Sequence, residues 1–159
     1  MTPSRFETGR PMLLAGVRRW YAFAEGPAEI PLVWKDFVAR LPLPGQVTGQ
    51  FGGMTYGAMC QTDMAGERFE YMCAVEVGSF DLMSDDLGRM RVPEAHYAVF
   101  THEGPVWTIR DTLMAGHVWL ASNGDWKDAG TPDFERYGPR FDAATGMGDT
   151  EIWFPVTPP

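Results

Sequence analysis

The segment TEIWFPV (150–156) restricts most strongly what this chain can fold into. Successive side chains of a strand point to opposite faces, so an alternating pattern separates a core face from a second face. The core-facing set consists of Ile152, Phe154 and Val156. The other set places the carboxylate of Glu151 beside the indole of Trp153. The segment therefore predicts a sheet with one core face and a second face that carries an acid next to an aromatic ring.

A segment near the middle of the chain, RFEYMCAVEV (68–77), alternates in the same way. Its apolar face consists of Phe69, Tyr71, Cys73, Val75 and Val77. Its second face consists of Glu70, Met72, Ala74 and Glu76. If the two strands are equivalent, Glu70 corresponds to Glu151 and Met72 to Trp153. Methionine adapts to varied shapes, so Met72 is a candidate for lining a binding site.

The first half of the chain predicts the order strand, helix, strand, strand. Strands are expected at 12–23, 54–60 and 68–77, where β-branched and aromatic residues are bounded by turn residues. A helix is expected at 29–41, because its apolar residues recur with helical spacing. These residues are Ile30, Trp34, Phe37 and Leu41.

The second half repeats this order. A strand is expected at 89–102, a helix at 104–121, and strands at 134–143 and 150–156. The apolar stripe of the helix consists of Val106, Ile109, Leu113, Gly116 and Leu120. We therefore expect an α+β fold, a pseudo-symmetric duplication with repeats at about 5–80 and 88–157. Its sheets are expected to be antiparallel, with the two helices on the outside.

Length and charge limit the function classes. A chain of 159 residues with 45% hydrophobic content can close one core, so we expect a single domain over 1–159. The net charge of −8 repels phosphate backbones and anionic membranes, so neither nucleic acid nor a membrane is an expected partner.

No secretion pattern or long apolar run is found, which predicts a cytoplasmic protein. Cys60 and Cys73 are then expected to be reduced.

Four blocks of the sequence resemble a known family. They are HYAVFTHEGP (96–105), VWLASNG (118–124), PDFERYGPRFD (132–142) and TEIWFPV. In this order they are similar to the GyrI-like small-molecule-binding domain, which also serves as the effector-binding domain of AraC-type and MerR-type multidrug regulators. The resemblance runs from about Arg5 to Val156, and the N-terminal half matches by element order.

The resemblance implies a ligand cleft between the two modules, which takes flat, hydrophobic and often cationic compounds. In such domains the acid of the last strand faces the cleft, and Glu151 matches that position. The chain has no room for the helix-turn-helix that regulators fuse to this domain. A stand-alone version is therefore expected, without direct transcriptional control.

The chemistry of such a site follows from its residue types. A carboxylate on an apolar wall is poorly solvated, and a lipophilic cation can replace the lost water. Aromatic faces attract the same cation by about 0.5–2 kcal/mol per contact. The predicted ligand-binding residues are Glu151, Trp153, Glu70, Met72, Tyr137, Trp107 and Trp20.

A simpler interpretation of the acids stays open. Glu151 could lie on a solvent-exposed face of an edge strand, where its charge would prevent aggregation. It could also pair with an arginine such as Arg136 or Arg140. Glu70 and Glu76 could likewise be ordinary acids of a half-solvated sheet.

The sequence patterns for a metal or cofactor site are weaker. The histidines, His96, His102 and His117, lack the spacing and the neighbouring carboxylates that a zinc site favours. The glycine-rich segment FGGMTYG (51–57) has neither the lysine of a P-loop nor the glycine spacing of a dinucleotide motif. Neither a metal nor an organic cofactor is predicted.

Three function classes remain. The favoured one is a protein that binds a small hydrophobic, cationic aromatic compound for sensing or sequestration. As the resemblance implies, the alternative is a hydrolase of strained cyclopropane-bearing antibiotics, in which Glu151 and Glu70 would divide the acid and base roles. The third is a protein inhibitor of the gyrase-inhibitor type.

Overall fold

Nine strands and two helices make up the chain, and the computed structural model describes all residues 1–159. In chain order they are β1 (Arg5–Gly9), β2 (Met12–Ala22), α1 (Gly26–Val38), β3 (Thr55–Asp63), β4 (Arg68–Val77), β5 (Gly88–Val92), β6 (Ala95–Thr101), α2 (Ile109–Ser122), β7 (Lys127–Asp128), β8 (Phe134–Tyr137) and β9 (Thr150–Thr157). Short 3-10 turns lie at Gly49–Phe51 and Val106–Thr108. Neither helix has the length and apolar character needed to cross a membrane.

The chain divides into two compact units. The middle unit consists of Met12–Arg91. The terminal unit joins the two ends of the chain, Met1–Pro11 and Val92–Pro159. Each unit combines a sheet with one helix, which confirms the predicted α+β class; the internal duplication stays a prediction.

In the middle unit the strand order is β3-β4-β2-β5. Strand β4 runs antiparallel to β2 and to β3. Its predicted apolar face is confirmed, because Tyr71, Cys73, Val75 and Val77 belong to one core cluster with the fully buried Phe37 of α1. Glu70 and Met72 consequently lie on the other face of this sheet.

In the terminal unit the strand order is β1-β6-β9-β8, and the short β7 also pairs with β9. The β1/β6, β6/β9 and β8/β9 pairs are antiparallel. The predicted core face of β9 is confirmed: Ile152, Phe154 and Val156 are buried in a cluster with Phe100. Apolar side chains of α2, among them Ile109 and Leu113, pack against this cluster.

The structure corrects several predicted boundaries. The strand expected at 89–102 is two strands, β5 and β6, because Pro93 has no N–H for a continuous ladder. The strand expected at 134–143 ends at Tyr137, and the following residues form turns. The helix expected at 29–41 spans Gly26–Val38, because Pro27 suits the first helical turn. The helix expected at 104–121 begins as a 3-10 turn and becomes α-helical at Ile109. Strands β1 and β7 were not predicted.

Candidate functional site

The terminal sheet has a second face that carries Glu151 and Trp153, two of the seven predicted ligand-binding residues. Because α2 packs on the side of Ile152 and Phe154, strand alternation places Glu151 and Trp153 on the opposite side. Cross-strand pairing brings Arg136 next to Glu151 and Phe134 next to Trp153. We call this surface the charged aromatic face; it consists of Arg5, Tyr97, Phe134, Arg136, Glu151 and Trp153.

Glu151 is held by two arginines. Arg5 donates from both terminal nitrogens, with Nη1 at 2.7 Å from Oε1 and Nη2 at 3.1 Å from Oε2. Arg136 Nη2 donates to Oε2 at 2.8 Å. Arg5 also pairs with Glu7 on its own strand. Of the two arginines predicted as alternative partners, Arg136 therefore pairs with Glu151, whereas Arg140 pairs with Asp149.

Trp153 is attached to the same carboxylate and lies under the same arginines. Its indole N–H donates to Glu151 Oε2 at 2.9 Å. The guanidinium carbon of Arg136 lies 4.4 Å from the ring centroid and that of Arg5 lies 5.7 Å away. Both distances fall within the range of cation–π attraction. Phe134 stacks on the same indole with the ring centroids 5.7 Å apart.

The pKa of Glu151 reflects opposing effects. Burial is the largest of them and raises the pKa, but the hydrogen bonds from Arg5 and Trp153 and the charges of Arg136 and Arg5 together outweigh it. The net result is a pKa below the usual value for glutamate. Glu151 is therefore a carboxylate at neutral pH, and hydrogen bonds from three residues fix it in one orientation.

The predicted residues of the middle unit lie on one face of its sheet. Glu70 accepts a hydrogen bond from Arg18 Nη2 at 2.8 Å, so it too has an arginine partner. Met72 is fully buried. Trp20 pairs across strands with Glu70, and the guanidinium of Arg68 lies 4.5 Å from its ring centroid. The sheet therefore brings Glu70, Met72 and Trp20 to one side, as alternation requires.

The remaining two predicted residues lie elsewhere in the terminal unit. Tyr137 is on the face of β8 opposite to Phe134, where its hydroxyl donates to Glu135 Oε2 at 2.6 Å. Trp107 lies in the 3-10 turn before α2 and is largely exposed. Neither side chain belongs to the charged aromatic face.

Two residues with functional chemistry were missed in the sequence. Arg5 was missed because β1 was not predicted, although the alternation of charged and apolar residues in RFETG is typical of an edge strand. Glu135 was not named as a site residue, although the strand expected at 134–143 contains it; it is a buried carboxylate in β8 opposite Ile152. The acid within the alternating segment FERY was the available signal.

The charged aromatic face holds a carboxylate and an indole side by side, the two residue types predicted for the site. A carboxylate and an indole are fixed to each other by a hydrogen bond, so their positions do not depend on a ligand. Within the chain, the cations that they contact are guanidinium groups. Carboxylates recognise such groups by charge-assisted hydrogen bonds, and indoles recognise them by their ring faces.

The chain resembles known proteins both in sequence and in structure. A curated relative, the transcriptional regulator BrlR of Pseudomonas aeruginosa, is 28% identical over 120 residues. The aligned region covers 75% of this chain but only 43% of the regulator, so the chain spans less than half of that protein.

Two solved structures share the fold. The structure of SAV2435 bound to tetraphenylphosphonium matches with a TM-score of 0.69 at 20% identity, over 96% of this chain and 93% of that one. The C-terminal domain of EcmrR matches with a TM-score of 0.69 at 16% identity, over 98% of this chain and 97% of that one. At these identities the likeness establishes the fold.

The family assignment comes from the sequence as a whole. Residues 2–157 match the family described as the GyrI-like small molecule binding domain. This range contains both units and every residue of the charged aromatic face. The chain therefore belongs to the GyrI-like small-molecule-binding domain family.

Proposed function

We propose that the protein binds hydrophobic aromatic cations on the charged aromatic face, and that Glu151 and Trp153 select the positive charge. The observation that carries this proposal is the unit formed by the two side chains, a carboxylate hydrogen-bonded to an indole whose ring is contacted by guanidinium groups. A cationic ligand with aromatic rings can make the same two contacts as those guanidiniums. Its charge can face the carboxylate, and it can lie against the ring of the indole.

Binding is proposed to occur by exchange. Arg136 contacts both Glu151 and the ring of Trp153, so a cationic ligand competes with this side chain for the same groups. About a quarter of the Arg136 side chain is exposed, which allows it to move into water, where its charge is well solvated. The bidentate contacts of Arg5 hold the carboxylate in place while Arg136 leaves.

The relatives support this assignment of ligand chemistry. SAV2435 has been solved with tetraphenylphosphonium, a cation whose charge is surrounded by four phenyl rings. It has the same fold as this chain, and the family is one of small-molecule-binding domains. Tetraphenylphosphonium is therefore the first compound to test.

The hydrolase alternative receives less support from the candidate acids. Division of acid and base roles requires one protonated carboxylic acid near neutral pH. The partners of Glu151 lower its pKa and keep it ionised. Glu70 carries an ion pair with Arg18. These contacts suit binding better than proton transfer.

Replacing Arg136 by Gln tests the exchange. The substitution removes the competing cation from Trp153 and one counter-charge from Glu151, so tetraphenylphosphonium should bind about fivefold to tenfold more tightly. Quenching of tryptophan fluorescence during a titration measures the dissociation constant.

Arg140→Gln is the matched control for this measurement. It makes the same change in net charge four residues further along the chain, at an exposed arginine that pairs with Asp149. Its effect on affinity should be small, because exposed charges are screened by salt. An equal increase in affinity in both variants would mean that only the net charge of the protein matters. Weaker binding by Arg136→Gln would show that this arginine stabilises the bound ligand, and it would contradict the exchange.

A further inference from the structure

We propose that the hydroxyl of Tyr97 binds the ligand directly, by donating a hydrogen bond to an acceptor atom such as a carbonyl oxygen. This inference rests on the proposed function and narrows its ligand class. The preferred compounds are then aromatic cations that also carry a hydrogen-bond acceptor.

The starting observation is a buried hydroxyl without a hydrogen-bond partner. Tyr97 is 1% exposed, and its phenolic oxygen makes no hydrogen bond within the chain. Burying a polar group without a partner is unfavourable, and nearly all buried polar groups in native proteins are paired. A group of this kind calls for a functional explanation, and a binding partner from outside the chain is one.

Its position connects the hydroxyl with the proposed site. Tyr97 lies on the charged aromatic face, where it pairs across strands with Glu7 on one side and Pro155 on the other. Its ring meets that of Trp153 edge to face at 5.3 Å and that of Phe134 at 5.4 Å between centroids. The three rings therefore form one aromatic cluster, in which the indole N–H of Trp153 is paired with Glu151 and the hydroxyl of Tyr97 is without a partner.

The neighbouring strand is shaped to accept the ring of Tyr97. A Cβ atom at Gly9 of β1 would lie 2.5 Å from Cε2 of this ring and 3.0 Å from Cδ2. Any side chain at position 9 would therefore displace Tyr97. The glycine therefore leaves the space that the ring occupies, and the ring contacts with Trp153 and Phe134 place the hydroxyl.

The chemistry of the hydroxyl suits selection between ligands. Burial raises the pKa of Tyr97 to about 12, so the phenol keeps its proton and remains a donor throughout the physiological range. In apolar surroundings a hydrogen bond is stronger than in water. A site that offers a buried donor discriminates against ligands that leave this donor unpaired.

A second buried hydroxyl shows why position matters. Tyr21 is 3% exposed, and its oxygen also lacks a hydrogen-bond partner. It belongs to the core cluster of the middle unit, which contains Phe37 of α1. Tyr21 thus lies on the helix-covered face of its sheet, whereas Tyr97 lies on the face opposite to α2. Tyr21→Phe is therefore a matched control for Tyr97→Phe, because each removes one unpaired buried oxygen.

The experiment compares two cations of the same outline. One is triphenylphosphonium carrying a 4-acetylphenyl ring, and the other carries a 4-isopropylphenyl ring, which lacks the acceptor oxygen. The wild type should prefer the acetyl compound by about threefold to tenfold, the usual worth of one neutral hydrogen bond. Tyr97→Phe should abolish this preference, and Tyr21→Phe should retain it.

Thermal unfolding of the ligand-free variants provides an independent readout. Because the hydroxyl of Tyr97 has no partner in the chain, Tyr97→Phe should leave Tm unchanged or raise it slightly. A fall of several degrees would show that the oxygen has a structural partner and would overturn the inference. So would an acetyl preference that is the same in the wild type and in Tyr97→Phe.

A neutral pair of compounds separates this inference from the proposed function. The pair is 4-acetylbiphenyl and 4-isopropylbiphenyl, which differ by the same acceptor but carry no charge. If the phosphonium compounds fail to bind while Tyr97 still determines a preference in the neutral pair, the proposed cation selection is wrong and the role of Tyr97 stands. If neither pair shows a preference that depends on Tyr97, its role is refuted.

Discussion

Glu151→Gln is expected to weaken the binding of tetraphenylphosphonium by about tenfold to a hundredfold. The substitution keeps the shape of the side chain but removes the charge, and a hydrogen-bonded charge contact in a partly buried site is worth about 1.5–3 kcal/mol. Arg136 then remains near Trp153 without its carboxylate partner and Arg5 retains only Glu7, which adds repulsion toward the ligand. Titration with tetraphenylphosphonium, followed by tryptophan fluorescence, measures the loss.

Two controls isolate the charge at this position. The neutral compound triphenylphosphine oxide should bind the wild type and Glu151→Gln with nearly equal affinity. Asp86→Asn removes the same charge from an exposed ion pair with Arg40 in the middle unit, and it should change neither affinity. Equal weakening of both compounds would mean that Glu151 shapes the site without selecting charge.

Gly16→Ala is expected to be among the most destabilising single substitutions in the chain. A Cβ atom at position 16 would lie 1.8 Å from the carbonyl oxygen of Cys73 and 2.8 Å from the Cα atom of Ala74. Both are backbone atoms of β4, which is paired with β2 on one side and β3 on the other and cannot move away. We expect a loss of about 3 kcal/mol or more in the free energy of unfolding. This corresponds to a fall in Tm of about 6 to 12 °C.

Gly78→Ala is the control for this effect. A Cβ atom there would meet only the carbonyl oxygen of Gly45, at an ordinary contact distance of 3.8 Å. Calorimetry or circular dichroism should show little change in its Tm. A Gly16→Ala variant as stable as Gly78→Ala would show that β2 and β4 separate more easily than their packing indicates.

The alternating strands were the part of the fold that the sequence could predict. Alternation in β9 correctly assigned Ile152 to the core and placed Glu151 and Trp153 together on the other face. In β4 it separated Tyr71 from Glu70 in the same way. These predictions succeed because the period of a strand is a local property of the backbone.

Arg136 was among the possible partners of Glu151 in the sequence, but Arg5 was not, because pairing between distant strands is not local. Arg5 reaches Glu151 only because β1 and β9 both pair with β6, over a separation of 146 residues. No local pattern encodes such a register. The sequence left open whether Glu151 meets a cationic ligand or pairs with an arginine, and the structure shows that Arg5 and Arg136 compensate its charge.

The most direct test of cation selection compares two ions of the same shape and opposite charge. Tetraphenylphosphonium and tetraphenylborate each carry four phenyl rings around a charged centre. A site that recognises shape alone would therefore bind both with equal affinity. Their dissociation constants for the wild-type protein are to be measured by calorimetry at physiological salt, where distant surface charges are screened. Tetraphenylphosphonium should bind at least about tenfold more tightly, whereas equal affinity, or tighter binding of the borate, would contradict cation selection.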